Sequence, residues 1–393
     1  MNHHAFGNLI TRLQVGTTPI QPSRHRRLRA LRWLKLLLLP LSWIYALAVA
    51  ARNALYDAHL LPSRRTPLPT ICIGNLTAGG TGKTPHTELL IRLLQPHYRI
   101  AVLSRGYGRR TSGYIELADP RPHGPQATGQ PADTSERVGD EPLQLKRKHP
   151  DVPVAVDANR NRGLDRLAAD HPEVQLVLLD DAYQHRSTRA SLYVLLTTCQ
   201  RPYFADLPLP TGYLRDNRRQ ARRARVIITT KCDPQALAEV KPWLLGGLNP
   251  RPGQLALFST MRYERALPLD GPASIAFTLT PRLQTFGLCA IAQPIPFITY
   301  LQEHTTLRGY MALADHHAFT PKDIRRLFDH SALRRNPGTI VITTEKDAQR
   351  LRSCALSDEQ RRRIFYLPIS AQLLGEGTDE QLLKTIKPYV DTH

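Results

Sequence analysis

Residues 70–85 read TICIGNLTAGGTGKTP, a short apolar run that breaks into a glycine-rich loop ending in Gly82, Lys83 and Thr84. Glycines let successive backbone N–H groups point inward at an anion, and the following helix adds its positive N-terminal end. In such a loop the lysine reaches the outer phosphates of a nucleotide, and the hydroxyl of the next residue holds Mg²⁺. The predicted nucleotide-binding residues are Thr77, Ala78, Gly79, Gly80, Thr81, Gly82, Lys83 and Thr84.

The match to the pattern GxxxxGK[ST] is imperfect, since Thr77 occupies the first position and the glycines are displaced to Gly79 and Gly80. A Gly-Lys-Thr triplet in an ordinary loop is the alternative interpretation. The context favours a phosphate loop, because the strand-like run ICI precedes it and an apolar helix, 89–94, follows it.

Further apolar runs typical of strands alternate with helix-like segments after the loop. They are YRIAVLS (98–104), VPVAV (152–156), VQLVLLD (174–180), LYVLLTT (192–198) and ARVIITT (224–230). In parallel sheets of this kind, ligands bind at the carboxyl ends of the strands, where the loop, Asp157 and the pair Asp180 and Asp181 all fall. We therefore predict an α/β fold with a P-loop kinase-like, doubly wound parallel sheet.

The length of 393 residues predicts roughly two to three domains. Proline and glycine cluster between residues 245 and 262, so a boundary is expected there. The predicted units are a flexible start with a membrane-associated helix (1–66), a P-loop nucleotide-binding domain (67–255) and a second, smaller α/β domain (256–393). Residues 119–135, rich in proline and glycine, are expected to form an exposed insertion.

The net charge of +20 is unevenly spread, since residues 1–66 carry ten arginines or lysines and a single acid, Asp57. Such an excess predicts an anionic partner, which could be nucleic acid, anionic lipid or a phosphorylated substrate. Within this region the basic run RHRRLRALRWLK (24–35) leads into the uncharged stretch Leu36–Ala51. That stretch is shorter than the ~20 residues that a spanning helix needs.

A signal peptide, a buried core helix and a helix lying in the inner face of a membrane are three interpretations of this stretch. We favour the membrane helix, because Trp33, Trp43 and Tyr45 suit the interface and the arginines suit acidic lipid. Export would instead place a phosphate loop where no ATP is available. The five cysteines form no CxxC pair, which also indicates a reducing, cytosolic compartment.

Acidic residues near the predicted strand ends supply the groups that phosphoryl transfer needs. An apolar run that closes on Asp180 is typical of a Walker B strand, whose carboxylate orients Mg²⁺ opposite Thr84. Asp140 and Glu141 offer a second carboxylate pair. Such a pair is useful because phosphoryl transfer to an alcohol needs a base near the hydroxyl as well as a metal ligand. The alternative interpretation of Asp140 is that it caps a helix and has no role in catalysis.

Two later motifs are ambiguous from their residues alone. ADHHAFT (314–320) contains an Asp-His-His string similar to that of metal phosphoesterases, but an imidazole that tunes an acid is equally available to it. TTEKDAQRL (343–351) is a strand end that runs into a charged helix start, and a solvated helix cap is its ordinary interpretation.

Nine motifs, in this order and spacing, resemble those of the tetraacyldisaccharide 4'-kinases, the lipid A kinases of Gram-negative envelope synthesis. They are GNLTAGGTGKTP, SRGYGRR, VGDEP, DANRNRG, LLDDAYQHR, LPTGYLRD, TKC, ADHHAFT and TTEKDAQRL. The resemblance runs from about residue 30 to the end of the sequence, and nine ordered motifs are far more specific than one. That family also begins with a hydrophobic, membrane-associated helix.

The resemblance implies ATP and Mg²⁺ at Lys83, Thr84 and Glu141, and a base at Asp140 assisted by His316. It further implies phosphate or substrate contacts by Tyr107, Arg160, Asp180, Asp181 and Arg215. The sequence departs from the family pattern at Ala182 and Tyr183, where Gly and Phe are usual, and at Asp216, where Glu is usual.

These observations predict a membrane-surface kinase that moves the γ-phosphate of ATP to the 4'-hydroxyl of a tetraacylated glucosamine disaccharide 1-phosphate. In this prediction Thr84 and Glu141 hold Mg²⁺ and Lys83 stabilises the transferring phosphoryl group, while Asp140 with His316 takes the hydroxyl proton. The expected partners are this lipid and the anionic, cytoplasmic face of the inner membrane, with no nucleic acid and no protein partner. A nucleic-acid-stimulated P-loop ATPase, favoured by charge alone, and a non-catalytic membrane scaffold are the alternatives.

Overall fold

The computed structural model describes residues 37–119, 133–271 and 273–392. Its helices are α1 (Leu39–Asp57), α2 (Lys83–Leu94), α3 (Ser135–Val138), α4 (Asp140–Lys148), α5 (Arg160–Asp170), α6 (Leu237–Leu248), α7 (Ile295–His304), α8 (Pro321–Phe328), α9 (Ser331–Arg334), α10 (Glu345–Leu351), α11 (Asp358–Arg362) and α12 (Thr378–Asp391). Its strands are β1 (Arg64–Arg65), β2 (Thr70–Asn75), β3 (Ile100–Ser104), β4 (Ile115–Glu116), β5 (Val154–Val156), β6 (Leu176–Asp180), β7 (Thr188–Arg189), β8 (Leu192–Thr198), β9 (Val226–Thr230), β10 (Leu255–Tyr263), β11 (Leu267–Pro268), β12 (Gln284–Cys289), β13 (Thr306–Ala312), β14 (Ile340–Thr344), β15 (Ile364–Leu367) and β16 (Ile369–Leu373).

The larger sheet has nine strands in the order β16-β10-β9-β8-β2-β6-β3-β5-β4. Neighbouring strands run parallel except at the two edges, where β16 opposes β10 and β4 opposes β5. Strand β2 lies at the centre and all of its residues are buried, as expected for a parallel strand that helices cover on both faces. The predicted doubly wound parallel sheet is therefore confirmed.

Side chains of β2 alternate between the two faces of this sheet, as they do along any strand. Ile71 and Ile73 pack in the cluster that contains Leu90 of α2, whereas Cys72 packs in the cluster that contains Leu164 of α5. Helices α2 and α5 thus cover opposite faces, and each begins shortly after a parallel strand ends. The helix N-termini and strand ends meet at one edge of the sheet, which is where such folds bind ligands.

A second, smaller sheet has five strands in the order β11-β15-β14-β12-β13. It is parallel apart from β11, which opposes β15. Phe286 of β12 and Val341 of β14 belong to the core on one face, and Phe297 and Leu301 of α7 belong to the core on the other. This sheet confirms the prediction of a second, smaller α/β unit.

The chain leaves the larger sheet after β10 and returns to it with β16, so two segments connect the sheets. Tyr263 pairs with Ile369 at the end of the β10–β16 ladder, and Glu264 N donates to Pro368 O at 2.9 Å. Within the stretch 245–262, two glycines lie inside α6 and Pro250, Pro252 and Gly253 lie between α6 and β10. The chain therefore stays with the larger sheet through this stretch. Sheet membership also does not follow a single division at residue 255, since β16 pairs with β10 and α12 packs in the core of the larger sheet.

Helix α1 turns its polar side toward the rest of the protein. Ser42 Oγ donates to Thr211 Oγ1 at 2.7 Å, and Asn53 Nδ2 donates to Asp216 Oδ1 at 2.7 Å. Both Ser42 and Asn53 are buried. Large apolar side chains at this end of the chain are instead exposed, namely Leu37, Leu41, Trp43, Ile44, Leu47 and Leu55.

Helix α1 has 19 residues. No helix within residues 37–119, 133–271 and 273–392 is both long and apolar enough to cross a membrane. The basic run 24–35, and residues 120–132 of the predicted insertion, lie outside the described residues.

Candidate active site

The glycine-rich loop needs glycine at two positions where the backbone is left-handed. Gly79 has a φ of 111° and Gly82, the N-cap of α2, has a φ of 83°, which side chains of other residues rarely allow. A Cβ atom at Gly82 would also lie 2.2 Å from Met261 Cε of β10. The loop can therefore turn directly into α2, whose first residues are Lys83 and Thr84.

Hydrogen bonds from three directions hold this loop. Ala78 N donates to Tyr213 O at 2.6 Å, and Asn75 Nδ2 donates to Thr81 Oγ1 at 2.9 Å. Thr230 Oγ1, at the end of β9, donates to Thr81 O at 2.9 Å. The end of β2, the end of β9 and the loop that carries Tyr213 together fix the shape of the cradle.

Two cations converge on Asp181, which follows β6. Lys83 Nζ lies 3.6 Å from Asp181 Oδ2, and Arg215 Nη2 donates to Asp181 Oδ1 and to Asn75 Oδ1, each at 2.5 Å. Burial alone would raise the pKa of Asp181, but the charges of Lys83 and Arg215 outweigh it and hold that pKa below its ordinary value. The structure thus brings together three predicted site residues, Lys83, Asp181 and Arg215.

Asp180, the last residue of β6, is fully buried. Its carboxylate accepts hydrogen bonds from Thr87 Oγ1 of α2 at 3.2 Å and from Ser104 Oγ of β3 at 3.4 Å. These contacts place Asp180 at the junction of β3, β6 and the nucleotide helix, which is the position predicted for a Walker B carboxylate.

Negative charge accumulates around Asp180. Burial, and then the carboxylates of Glu141 and Asp181, raise the pKa of Asp180 to about 7. Thr84 lies one turn before Thr87 on α2, so its hydroxyl adds an oxygen donor on the same side of that helix. A hard cation such as Mg²⁺ prefers oxygen ligands, so the Glu141 carboxylate and the Thr84 hydroxyl are groups of the right chemical type to hold it.

The predicted base Asp140 lies on a helix packed on the larger sheet, and its predicted partner His316 lies on a loop of the smaller sheet. Asp140 begins α4 and His316 follows β13, yet His316 Nδ1 lies 3.4 Å from Asp140 Oδ2. Lys346 Nζ donates to His316 Nε2 at 3.1 Å, because an ammonium group can only donate. A neutral ring in this arrangement carries its proton on Nδ1, the nitrogen that faces Asp140.

Arg350 of α10 also approaches Asp140. Its Nε lies 3.1 Å from Asp140 Oδ2, and its Nη2 lies 3.2 Å from Asp347 Oδ1. His316 and Arg350 therefore share one oxygen of Asp140, and within the described part of the chain Oδ1 is the oxygen left to accept a proton.

The motif TTEKDAQRL is therefore more than a solvated helix cap. Glu345, Asp347 and Arg350 are 5%, 0% and 8% exposed, and Lys346 contacts His316. Sequence reasoning did not predict that Lys346 and Arg350 contact the predicted base and its partner. The available signal was the density of charge at the start of a helix that follows an apolar strand.

Tyr107 and Arg160 have different surroundings, although both were predicted to touch substrate. The Tyr107 ring meets His316 edge to face with centroids 5.7 Å apart, and Tyr107 is 72% exposed. Arg160 is 2% exposed, and its guanidinium donates to Asp157 O at 2.6 Å and to Asp180 O at 3.4 Å. Tyr107 thus lies on the rim beside the predicted base, whereas Arg160 supports the ends of β5 and β6 from within.

The second histidine of ADHHAFT has a partner of its own. His317 Nε2 lies 2.9 Å from Asp323 Oδ2, next to the start of α8. Within residues 37–119, 133–271 and 273–392, no three His, Cys, Asp or Glu side chains converge as a metal-binding group.

Comparison with known proteins identifies the family. Residues 34–387 match the family described as tetraacyldisaccharide-1-P 4'-kinase. The tetraacyldisaccharide 4'-kinase of Bacteroides thetaiotaomicron is 38% identical over 361 residues, which cover 87% of this chain and 90% of the relative. The enzyme of the same name from Flavobacterium johnsoniae is 36% identical, with 90% of this chain and 98% of the relative covered.

A solved structure agrees with these relatives. The crystal structure of the "apo" form of LpxK from Aquifex aeolicus in complex with ATP superposes with a TM-score of 0.69 at 26% identity, and the match covers 91% of this chain and 99% of that one. The resemblance carried by the nine motifs is confirmed, and the chain belongs to the tetraacyldisaccharide 4'-kinase family.

Proposed function

We propose that this chain transfers the γ-phosphate of ATP to the 4'-hydroxyl of tetraacyldisaccharide 1-phosphate, a step of lipid A biosynthesis, and that Asp140 is the base. The observation that carries the proposal is the pairing of Asp140 with His316 at the edge of the sheet that bears the glycine-rich loop. A phosphate loop alone suits any nucleotide hydrolase. A buried carboxylate oriented by an imidazole is what removal of a proton from an alcohol needs.

The proton side of the reaction depends on which atoms of Asp140 are engaged. His316 and Arg350 both approach Oδ2, so the hydroxyl proton passes to Oδ1. His316 keeps the carboxylate oriented through its Nδ1 proton, and Lys346 fixes that tautomer by donating to Nε2. Because Asp140 is 8% exposed, water competes poorly with the acceptor for this base.

The phosphate side depends on the loop and on Lys83. Backbone N–H groups at the start of α2 and the positive end of that helix bind the phosphates of ATP. Lys83 moves from Asp181 to the charge that develops on the transferring group, while Arg215 stays on Asp181. Thr84 and Glu141 would hold Mg²⁺, which when bound neutralises negative charge on the phosphoryl oxygens.

The acceptor side is proposed to involve the rim of the cleft. Tyr107 is exposed beside His316, where it can pack against a sugar ring. Arg215 lies next to Asp181 and can meet an anionic group. Arg160 acts indirectly in this proposal, by holding the backbone of Asp180.

The chain is proposed to bind the cytoplasmic face of the inner membrane as a peripheral or monotopic protein. Trp43, Ile44 and Leu47 are 69%, 65% and 71% exposed, the reverse of a surface helix in a soluble domain, whose apolar face turns inward. Burial of each such side chain at the acyl boundary is worth roughly 1.5–3 kcal/mol. Tyr45 OH donates to Arg215 O at 3.0 Å, so the same helix that meets lipid also contacts the active-site loop.

The test is ATP-dependent phosphorylation of the purified disaccharide acceptor, followed by mass spectrometry. We expect the gain of one phosphate on the acceptor and none on an analogue that lacks the 4'-hydroxyl. ATP hydrolysis that nucleic acid stimulates and the acceptor does not would contradict the proposal. Equal phosphate gain on the 4'-deoxy analogue would show that the transfer goes to another hydroxyl.

A further inference from the structure

Helix α10 of the smaller sheet faces helix α4 of the larger one. At the first turn of α4, Arg350 Nε lies 3.1 Å from Asp140 Oδ2 and Lys346 Nζ lies 3.6 Å from Glu141 Oε1. Arg350 and Lys346 are four residues apart and so lie on one side of α10. Their partners are the proposed base and a proposed metal ligand.

The contacts continue toward the C-terminal end of α4. Glu345 Oε2 accepts a hydrogen bond from Gln144 Nε2 at 3.2 Å and lies 3.1 Å from Lys148 Nζ. Gln349 Oε1 accepts from Arg147 Nη1 at 2.5 Å. Four side chains of α10 therefore bind five side chains of α4, and the contacts extend from its first residue to its last.

Most of these groups are removed from water. Gln144, Glu345, Gln349 and Arg350 are 6%, 5%, 2% and 8% exposed. A buried polar group that loses its partner is left unpaired and away from water, which destabilises the fold, and the effect is larger for a charged group. The contacts between α10 and α4 thus combine hydrogen bonds with ion pairs that are largely shielded from water, unlike ion pairs on an open surface.

The nucleotide helix α2 joins the same cluster through Glu88. Glu88 Oε1 accepts from Gln144 Nε2 at 2.9 Å, and Glu88 Oε2 accepts from Lys148 Nζ at 2.7 Å. Gln144 and Lys148 therefore each bridge one carboxylate of α2 and one of α10. The helix that begins with Lys83 and Thr84 is in this way tied to the smaller sheet.

Helix α10 is also tied to the loop of His316. Asp347 Oδ2 accepts from Ala290 N at 2.9 Å, and Ala290 O accepts from His316 N at 3.2 Å. Asp347 Oδ1 in turn lies 3.2 Å from Arg350 Nη2. His316 and Arg350 thus share one scaffold and approach Asp140 together.

We infer that α10 is an interdomain clamp that holds the first turn of α4 in register with His316 and the nucleotide helix, and that Arg350 and Glu345 are positioning residues for phosphoryl transfer. The inference rests on the proposed role of Asp140 as the base. It gives the motif TTEKDAQRL a function in transfer that is separate from nucleotide binding.

The kinetic test compares Arg350→Met, Arg350→Lys and Glu345→Gln in the full-length chain. We expect kcat to fall at least tenfold in Arg350→Met, with the Kd of a non-hydrolysable ATP analogue changed less than twofold. Arg350→Lys should recover part of the loss, and Glu345→Gln should lower kcat in the same selective way. In an Asp140→Ala background, Arg350→Met should add little, because its partner is already gone.

The matched control is Arg361→Met. Arg361 binds Asp270 at 2.5 Å within the smaller domain, so its loss removes an equivalent cation without touching α4. If Arg350→Met and Arg361→Met lower kcat and thermal stability in the same proportion, Arg350 has only a structural role and the clamp is rejected. A loss of ATP-analogue affinity as large as the loss of kcat would also reject it.

Hydrogen exchange of α4 separates the clamp from the proposed reaction. Arg350→Met and Glu345→Gln should each speed backbone exchange across residues 140–148 at least fivefold, whereas Arg361→Met should not. Unchanged exchange in both variants would overturn the clamp even if the enzyme transfers phosphate. If the wild-type chain transfers no phosphate, but the two variants still exchange faster than it does across residues 140–148, the proposed function is overturned and the clamp remains.

Discussion

Lys83 shares a carboxylate partner, Asp181, with Arg215. Its ammonium lies 3.6 Å from Asp181, and Arg215 binds the other oxygen of the same carboxylate. In the proposed reaction Lys83 moves to the phosphates, and Asp181 is then still paired with Arg215. The lysine is therefore available for charge that develops on the transferring group.

Lys83→Ala should lower acceptor-dependent phosphate transfer by about 10²–10³-fold, the usual effect of removing one group that stabilises transition-state charge. Circular dichroism should show an unchanged fold. Arg92→Ala, at the exposed end of the same helix, should change neither measurement. A folded Lys83→Ala chain with the wild-type rate would remove the loop from the mechanism.

His86 predicts a pH dependence of stability. It is fully buried between Gly82 O and Ser259 Oγ, and burial lowers its pKa from 6.5 to about 4. Between these values the unfolded chain binds more protons than the folded one, so the free energy of unfolding rises with pH. The contribution is complete above pH 6.5 and falls, by up to about 3 kcal/mol, as the pH drops to 4.

Urea unfolding at about pH 7.5 and about pH 5 measures this effect. The wild-type chain should lose more stability at the lower pH than His86→Gln, which cannot take up the proton. His97→Gln, a change at an exposed histidine, should keep the wild-type pH dependence. Equal pH dependence in His86→Gln and the wild type would assign the acid sensitivity to other groups.

At the scale of single residues, sequence reasoning placed the groups that sit next to strand ends. Asp180 is the last residue of β6 and Asp181 follows it, while Lys83 begins the helix after the loop that leaves β2. The apolar run that predicts each strand therefore also predicts where these side chains lie. Arg350 and Lys346 could not be placed, because their contacts with Asp140 and Glu141 depend on how α10 of one sheet packs on α4 of the other.

Helix α1 has an inverted polarity. Its buried side holds Ser42 and Asn53, while Trp43, Ile44 and Leu47 are largely exposed. Moving the exposed apolar side chains of such a helix from water into lipid is favourable, since burial of apolar surface contributes about 25 cal/mol per Å². In the proposed membrane-bound state, anchoring and catalysis are then properties of different faces of the molecule.

Replacing Trp43, Ile44 and Leu47 by Gln should weaken binding to anionic vesicles at least tenfold, because three inserted side chains are lost. Transfer to a detergent-dispersed acceptor should stay within twofold. Ile275→Gln with Ile295→Gln is the control, since both side chains are exposed apolar groups outside α1. A triple variant that still sediments fully with vesicles would place the anchor elsewhere.

Strand prediction succeeded where the apolar run is continuous. β8 has the predicted bounds, and β3, β5, β6 and β9 lie within the predicted runs, because strands buried on both faces read as unbroken apolar segments. β2 extends beyond the predicted run ICI at both ends. β10 was missed, since Pro252 and Gly253 precede it and Ser259 and Thr260 interrupt it. Its burial is partial, so the apolar signal is weak.

For the whole molecule, the unpredictable feature is the return of the chain to the larger sheet. Two connecting segments meet where Glu264 N donates to Pro368 O, and β16 then pairs with β10. Pairing between strands more than 100 residues apart leaves no local pattern in the sequence. The smaller domain is therefore joined to the larger sheet at both of its ends, after β10 and before β16. Its His316 loop lies next to Asp140.

Asp140 and His316 should act as one unit across the contact between the two domains. A carboxylate accepts a proton more readily when an imidazole holds it in place, and residues that act together lose their effects non-additively. Asp140→Ala and His316→Ala should each lower kcat by about 10²–10⁴-fold with little change in ATP affinity. The double variant should be hardly slower than the slower single one.

The neighbouring histidine supplies the matched control for this pair. His317 binds Asp323 at 2.9 Å rather than Asp140, so His317→Ala should lower kcat far less than His316→Ala. Losses that multiply in the double variant, or a loss of ATP binding in either single one, would mean that Asp140 and His316 act independently or that Asp140 belongs to the metal site. A tightly bound transition metal that disappears with His316 would instead support a phosphoesterase-like site, because a base and its orienting imidazole need no such metal.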